Sequence, residues 1–205
     1  MLQHSFIEDS HNLTGLFNGV RKMSQLMRNI ERQSEINIQR YPSNEYKGDA
    51  FEFFVELFLS LFSVSGDVFV YDYVPIPKHK DRGADGYGVN MKGDKCLVQI
   101  KYRSRNTPNK TLLNNNDDKI GNMFIVGNYS EHRVFVDDEN KFNYRFFVFT
   151  TADDLHFYTD DEMYRGEVKC FNYESFKKIV DNNDRFWNKC RELVMELDPR
   201  LQQVV

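Results

Sequence analysis

The chain has 205 residues, 40% hydrophobic and 15% aromatic, with 18 Phe and 11 Tyr, which is enough apolar mass for one folded domain with a small terminal extension. A net charge of −4 argues against a general nucleic-acid coat, which would be basic, but leaves room for a single positive cleft. No apolar run approaches the ~20 residues of a membrane span, and Met1-Leu2-Gln3-His4-Ser5 has no basic stretch leading into an apolar one, so neither a membrane location nor a secretory signal is expected.

Taken in order, residues 13 to 38 read as a helix, because Leu16, Phe17, Val20, Met23, Leu26, Met27 and Ile30 recur at threes and fours. Its basic residues Arg21, Lys22, Arg28 and Arg32 fall mostly on the other side, as a solvated face or a nucleic-acid contact. Pro42 ends any helix before it, and Ser43 or Asn44 can cap a new one. This second helix runs from about Glu45 to Ser63, with Phe51, Phe54, Val55, Phe58, Leu59 and Phe62 on an apolar face and Glu52 and Glu56 one turn apart on another. This division makes 1–40 a helical extension and 41–205 the main domain.

Three strands are expected at 68–74, 84–91 and 95–102, forming a meander with the Glu52 helix against one face. Gly83 accepts φ > 0 and marks a turn, and Lys92-Gly93-Asp94-Lys95 is a hairpin loop. Strand side chains alternate, so Gln99 and Lys101 share a face, about 6.6 Å apart at ~3.3 Å per residue, and Val98 and Ile100 point the other way. If the last two strands pair, Asp85 lies beside Gln99 and Lys101. A carboxylate, an amide and an ammonium in an apolar sheet are expensive without a purpose. They are either strand-end charges reaching water or a site.

Residues 106–110 and 114–118 have loop composition. Residues 119–127 fit helix or strand, with a helix crossing the sheet the preferred reading. Residues 145–151 form a buried strand. A helix begins after an Asn172 cap, and a last helix spans 184–196 until Pro199. Cys96, Cys170 and Cys190 form no C-x-x-C pair and suit an intracellular, reducing compartment.

Three segments together resemble the PD-(D/E)XK nuclease superfamily, nearest to its Mrr-like branch and to phage and viral nucleases. Gly48-Asp49-Ala50-Phe51-Glu52 resembles the helix motif ending in Phe-Glu. Asp81-Arg82-Gly83-Ala84-Asp85-Gly86 resembles the D-x-G-x-D turn, and Val98-Gln99-Ile100-Lys101-Tyr102-Arg103 the Q-x-K strand. The resemblance covers about residues 45–151. It implies an α/β fold: a restriction-endonuclease-like αβββαβ core with a mixed central sheet flanked by helices, plus N- and C-terminal helical additions. It also implies a metal-dependent endodeoxyribonuclease, restriction-like or structure-specific, in a cytoplasmic, phage or viral setting.

The catalytic set carried over is Glu52, Asp85, Gln99 and Lys101. Asp85, Gln99 and Glu52 would hold Mg²⁺, with Mn²⁺ as an alternative, and Lys101 would orient the attacking water. Many members have an acid where this chain has Gln99, so this chain brings one negative charge fewer to the metal site. Glu56 is the fallback helix acid, Asp81 a turn residue, and His79 and His132 surface residues or general acids. Lys80, Arg82, Arg103, Arg105 and Lys110 would track a DNA backbone, with RNA also open. Double-strand cutting would favour a homodimer. The competing reading is a catalytically inactive nucleic-acid-binding or protein-interaction module on the same fold.

Overall fold

The computed structural model describes residues 2–8, 12–62, 70–78, 83–90, 93–105, 111–114, 120–129, 144–156 and 167–197. After a 3-10 turn at Ser5–Glu8 come α1 (Met23–Ile36), α2 (Ser43–Phe62), β1 (Tyr71–Pro75), β2 (Gly86–Val89), β3 (Lys95–Lys101) and β4 (Leu112–Asn114). They are followed by α3 (Ile120–Tyr129), β5 (Phe146–Thr150), β6 (Asp154–His156), β7 (Val168–Phe171), α4 (Tyr173–Val180) and α5 (Asp184–Leu197). The main sheet has the order β1-β2-β3-β5-β7, and β4 pairs with β6 in a separate ribbon. Strand β2 is antiparallel to β1 and β3, whereas β5 runs parallel to β3 and β7. The chain is therefore α/β with a mixed five-stranded sheet flanked by helices.

The sheet separates two apolar layers. On one side Cys96, Val98, Ile100, Phe147 and Phe149 meet α1, α2, α4 and α5; on the other Leu97, Phe146 and Val148 meet Ile120, Met123 and Phe124 of α3. Strand β5, Phe-Phe-Val-Phe-Thr, is buried at every position because neighbouring strands pair on both edges and layers cover both faces. Helix α2 is apolar nearly all round because it is an interior helix, covered by the sheet on one side and by other helices on the rest.

The helix expected over 13–38 is shorter. Gly15 and Gly19 take φ of +75° and +65°, so residues before Met23 form turns. Leu13, Leu16, Phe17 and Val20 nevertheless join the α2 core. At the start of α1 the Met23 N–H donates to Asp181 Oδ1 at 2.7 Å, and Arg191 Nη1 donates to the Val20 carbonyl at 3.0 Å. These contacts join the start of α1 to the end of α4 and to α5. Asn172 caps α4 by accepting from the Ser175 N–H at 3.0 Å, as its sequence position suggests. Among the described residues no helix is long and apolar enough to cross a membrane.

Candidate active site at the parting of two strands

The site starts from register. Gly86 pairs with Val98 and Tyr87 with Leu97, so the next pair outward sets Asp85 opposite Gln99. The ladder opens here: the Asp85 N–H donates to the Val98 carbonyl at 2.9 Å, and the Asp85 carbonyl accepts from Ile76 N–H at 2.8 Å. The Asp85 carboxylate fills the opening. Its Oδ2 accepts from the Ile100 N–H and from Gln99 Nε2, each at 2.5 Å.

Gln99 is 2% exposed. Its NH₂ faces Asp85, and among the described residues nothing donates to its Oε1. A buried amide oxygen without a donor is costly. Lys101, half-buried and two residues on along the same face, makes no ion pair among the described residues. The gap therefore contains a carboxylate held by N–H donors and an idle amide oxygen, with Lys101 two residues further along the strand on the same face as Gln99.

Glu52 reaches this end of the sheet from the opposite layer. The link is Tyr73. A bulge in β1, with Asp72 at φ +48°, turns Tyr73 over β2. Its ring lies on Gly86, where any Cβ would collide with it, and its hydroxyl points at the Asp85 carbonyl, 3.5 Å away. Burial, and then the charges of Asp85, Glu52 and Glu56, push the Tyr73 hydroxyl well above its ordinary pKa. All three acids are thus within electrostatic reach of one hydroxyl. Glu52 itself hydrogen-bonds His4 Nε2 at 3.0 Å. His4 Nδ1 accepts from the Phe6 N–H at 3.1 Å, so in this arrangement the ring proton is on Nε2 and is donated to Glu52.

The fallback acid has another task. Glu56 is 5% exposed and accepts from the Gln3 and His4 N–H groups at 2.6 and 3.1 Å. Asp49, 3% exposed, accepts from Lys78 Nζ at 2.6 Å and from the Tyr41 hydroxyl. The Lys78–Asp49 pair fastens the segment that follows β1 to α2. Gly83 has φ +123°, as the turn reading requires, and packs on the backbone of Asn122.

Among the proposed nucleic-acid contacts, Arg105 pairs with Asp153 at 2.6 Å and lies 4.1 Å over the Tyr173 ring. Arg103 Nη1 donates to the Tyr102 carbonyl at 2.7 Å. Lys80, Arg82 and Lys110 lie outside the described residues, as do His79, Asp81 and His132. His4 and Tyr73 were not expected at the site. A lone His near a terminus leaves no periodic trace. The glycines of Gly86-Tyr87-Gly88 beside an aromatic strand were a legible cue for Tyr73, since an aromatic ring commonly covers a strand glycine.

No family model matches the chain, and no curated protein or solved structure matches it significantly. Among the described residues no three of His, Cys, Asp and Glu group closely enough to hold a metal ion. The two residues brought together are Asp85 and Gln99, whose idle Oε1 is the kind of oxygen a hard cation accepts; Glu52 lies in the other layer, on His4.

Proposed function

We propose that the chain is a metal-dependent phosphodiesterase that cuts DNA on a restriction-endonuclease-like core. One observation carries this reading: a half-buried Lys101 without an acid partner among the described residues, beside an Asp85–Gln99 pair with an idle amide oxygen. A phosphodiester supplies what this group lacks, a negative charge for the ammonium. Asp85, Gln99 and Glu52 would hold Mg²⁺ or Mn²⁺. The ion supplies charge stabilisation at the phosphate oxygens and a more acidic water. Lys101 offsets phosphate charge and orients the attacking oxygen. The Ile100 N–H and Gln99 Nε2 both hold Asp85 Oδ2, which keeps the carboxylate aligned beside Gln99. Glu52 must exchange its His4 hydrogen bond to take part.

The test is cleavage of linear, single-stranded, nicked and four-way-junction DNA with added Mg²⁺, and of matched RNA. Chelation with EDTA, Asp85→Ala and Lys101→Ala should each abolish cutting while the far-ultraviolet spectrum stays native. Cutting that survives all three removes the reading. A second reading, a binding module without catalysis, draws on Gln99, which lowers the negative charge at the gap, and on the occupied state of Glu52. Calorimetry with no heat from Mg²⁺ or Mn²⁺, together with no cleavage, would select it.

A further inference from the structure

One residue beyond Lys101 the chain enters the wall of a groove of about 440 Å³, lined by Ser24, Met27, Arg28, Glu31, Tyr102, Arg105 and Tyr173. Its charges are unequally spent. Glu31 is consumed by Lys47 Nζ at 2.5 Å, by the Tyr102 hydroxyl at 2.8 Å and by the Ser104 hydroxyl. Arg105 is balanced by Asp153. Arg28 is exposed and has no acid partner among the described residues, so the lining carries a surplus positive charge. The groove also has a flat wall. The Arg105 guanidinium lies on the Tyr173 ring, a pairing that presents a planar, cationic surface of the kind on which bases stack. Met27 adds apolar surface.

We infer that this groove holds one nucleotide of a single-stranded nucleic-acid flank, with its phosphate on Arg28 and its base against the Arg105–Tyr173 stack. The inference rests on the phosphodiesterase reading: Tyr102 packs with the layer opposite to that of Lys101, so a flank leaving Lys101 would round the end of β3 to enter the groove. Neither a free metal ion nor an apolar ligand suits the lining, because its one acid is saturated and its spare charge is positive.

The experiment measures fluorescence anisotropy of a labelled oligothymidylate, and of a duplex of the same length, with the full chain in EDTA so that nothing is cut. Arg28→Glu should weaken oligothymidylate binding by about tenfold or more and flatten its salt dependence, as expected when a phosphate contact becomes a repulsion. Arg28→Lys should stay near wild type. Arg105→Lys, which keeps the charge facing Asp153 but loses the planar stack, should weaken binding by about threefold, within the range of a base stack. Arg40→Glu, an exposed change outside the groove, should leave binding unaltered. Thermal melting confirms that each variant is folded.

If wild type binds oligothymidylate and Arg28→Glu does not, the groove stands even when no cleavage is found, and only the phosphodiesterase reading falls. If the protein cuts DNA but Arg28→Glu binds as wild type, the groove is overturned and the cleavage site stands. Absence of oligothymidylate binding, or an equal loss on duplex, also overturns it.

Discussion

Helix α2 has two flanks of opposite character. On the aromatic flank, Phe51, Phe54 and Phe58 meet Phe176, Phe186 and Trp187 in a continuous ring cluster, with Phe54 stacked on Trp187 at 6.0 Å between centroids. On the acidic flank, Asp49, Glu52 and Glu56 each hold a particular partner: Lys78 with Tyr41, His4, and two backbone N–H groups. The first flank depends on volume and the second on atoms at fixed points. Apolar packing is concentrated on one side of the helix and specific polar contacts on the other.

The largest expected effect separates the two. Phe54→Ala removes a fully buried ring and should cost roughly 3–5 kcal/mol in chemical denaturation. Activity per folded molecule should not change. A variant that remains stable but loses cleavage would break the division.

Asp85→Asn makes the complementary test. The amide keeps an oxygen for the Ile100 N–H but loses the charge, so melting should move little. Cleavage should fall by roughly 10²–10³, the scale for removing one preorganised electrostatic group. Glu56→Gln should do the reverse, weakening the N-terminal anchor with cleavage per folded molecule retained.

The parts of this arrangement differ in how readable they were. The contact between Asp85 and Gln99 followed from a two-residue period and a short hairpin, both local properties. Strand β5 was plain because it has four apolar residues in a row. Strands β4, β6 and β7 have three or four residues each, too few for alternation to stand out, and their pairing depends on distant segments. The overlong first helix came from apolar spacing that continues through Gly15 and Gly19, whose left-handed backbone interrupts it. The role of Glu56 was hidden because its partners are main-chain groups, and every residue but proline has such an N–H. His4 was hidden because its position on Glu52 is set by that same anchor.

A smaller effect examines how the acidic flank is held. His4→Ala removes the hydrogen bond to Glu52 and leaves the Glu56 anchor intact. A hydrogen bond of about 1 kcal/mol corresponds to roughly fivefold in an equilibrium. The Mg²⁺ concentration for half-maximal cleavage should therefore fall about fivefold. An increase would mean that His4 holds Glu52 in its working position instead of withholding it.

The smallest effect concerns pH, where two glutamates touching α2 act with opposite signs. Burial raises Glu56, overriding the two N–H groups that favour its charge. Its folded form favours the proton, so this contribution to stability is present below the ordinary value of 4.5 and is lost as pH rises through the raised one. For Glu31, burial pushes upward, but hydrogen bonds from Lys47, Ser104 and Tyr102 together hold it below 4.5. Its contribution is present above 4.5 and is lost as pH falls through the depressed value. Glu31 is partly exposed, so solvent screening keeps its share under about 1 kcal/mol. Melting midpoints followed through the acid range should show Glu31→Gln flattening the low-pH decline and Glu56→Gln flattening the loss on the higher side. If both variants changed the same limb, burial would not be what distinguishes the acid inside the α2 layer from the acid at its edge.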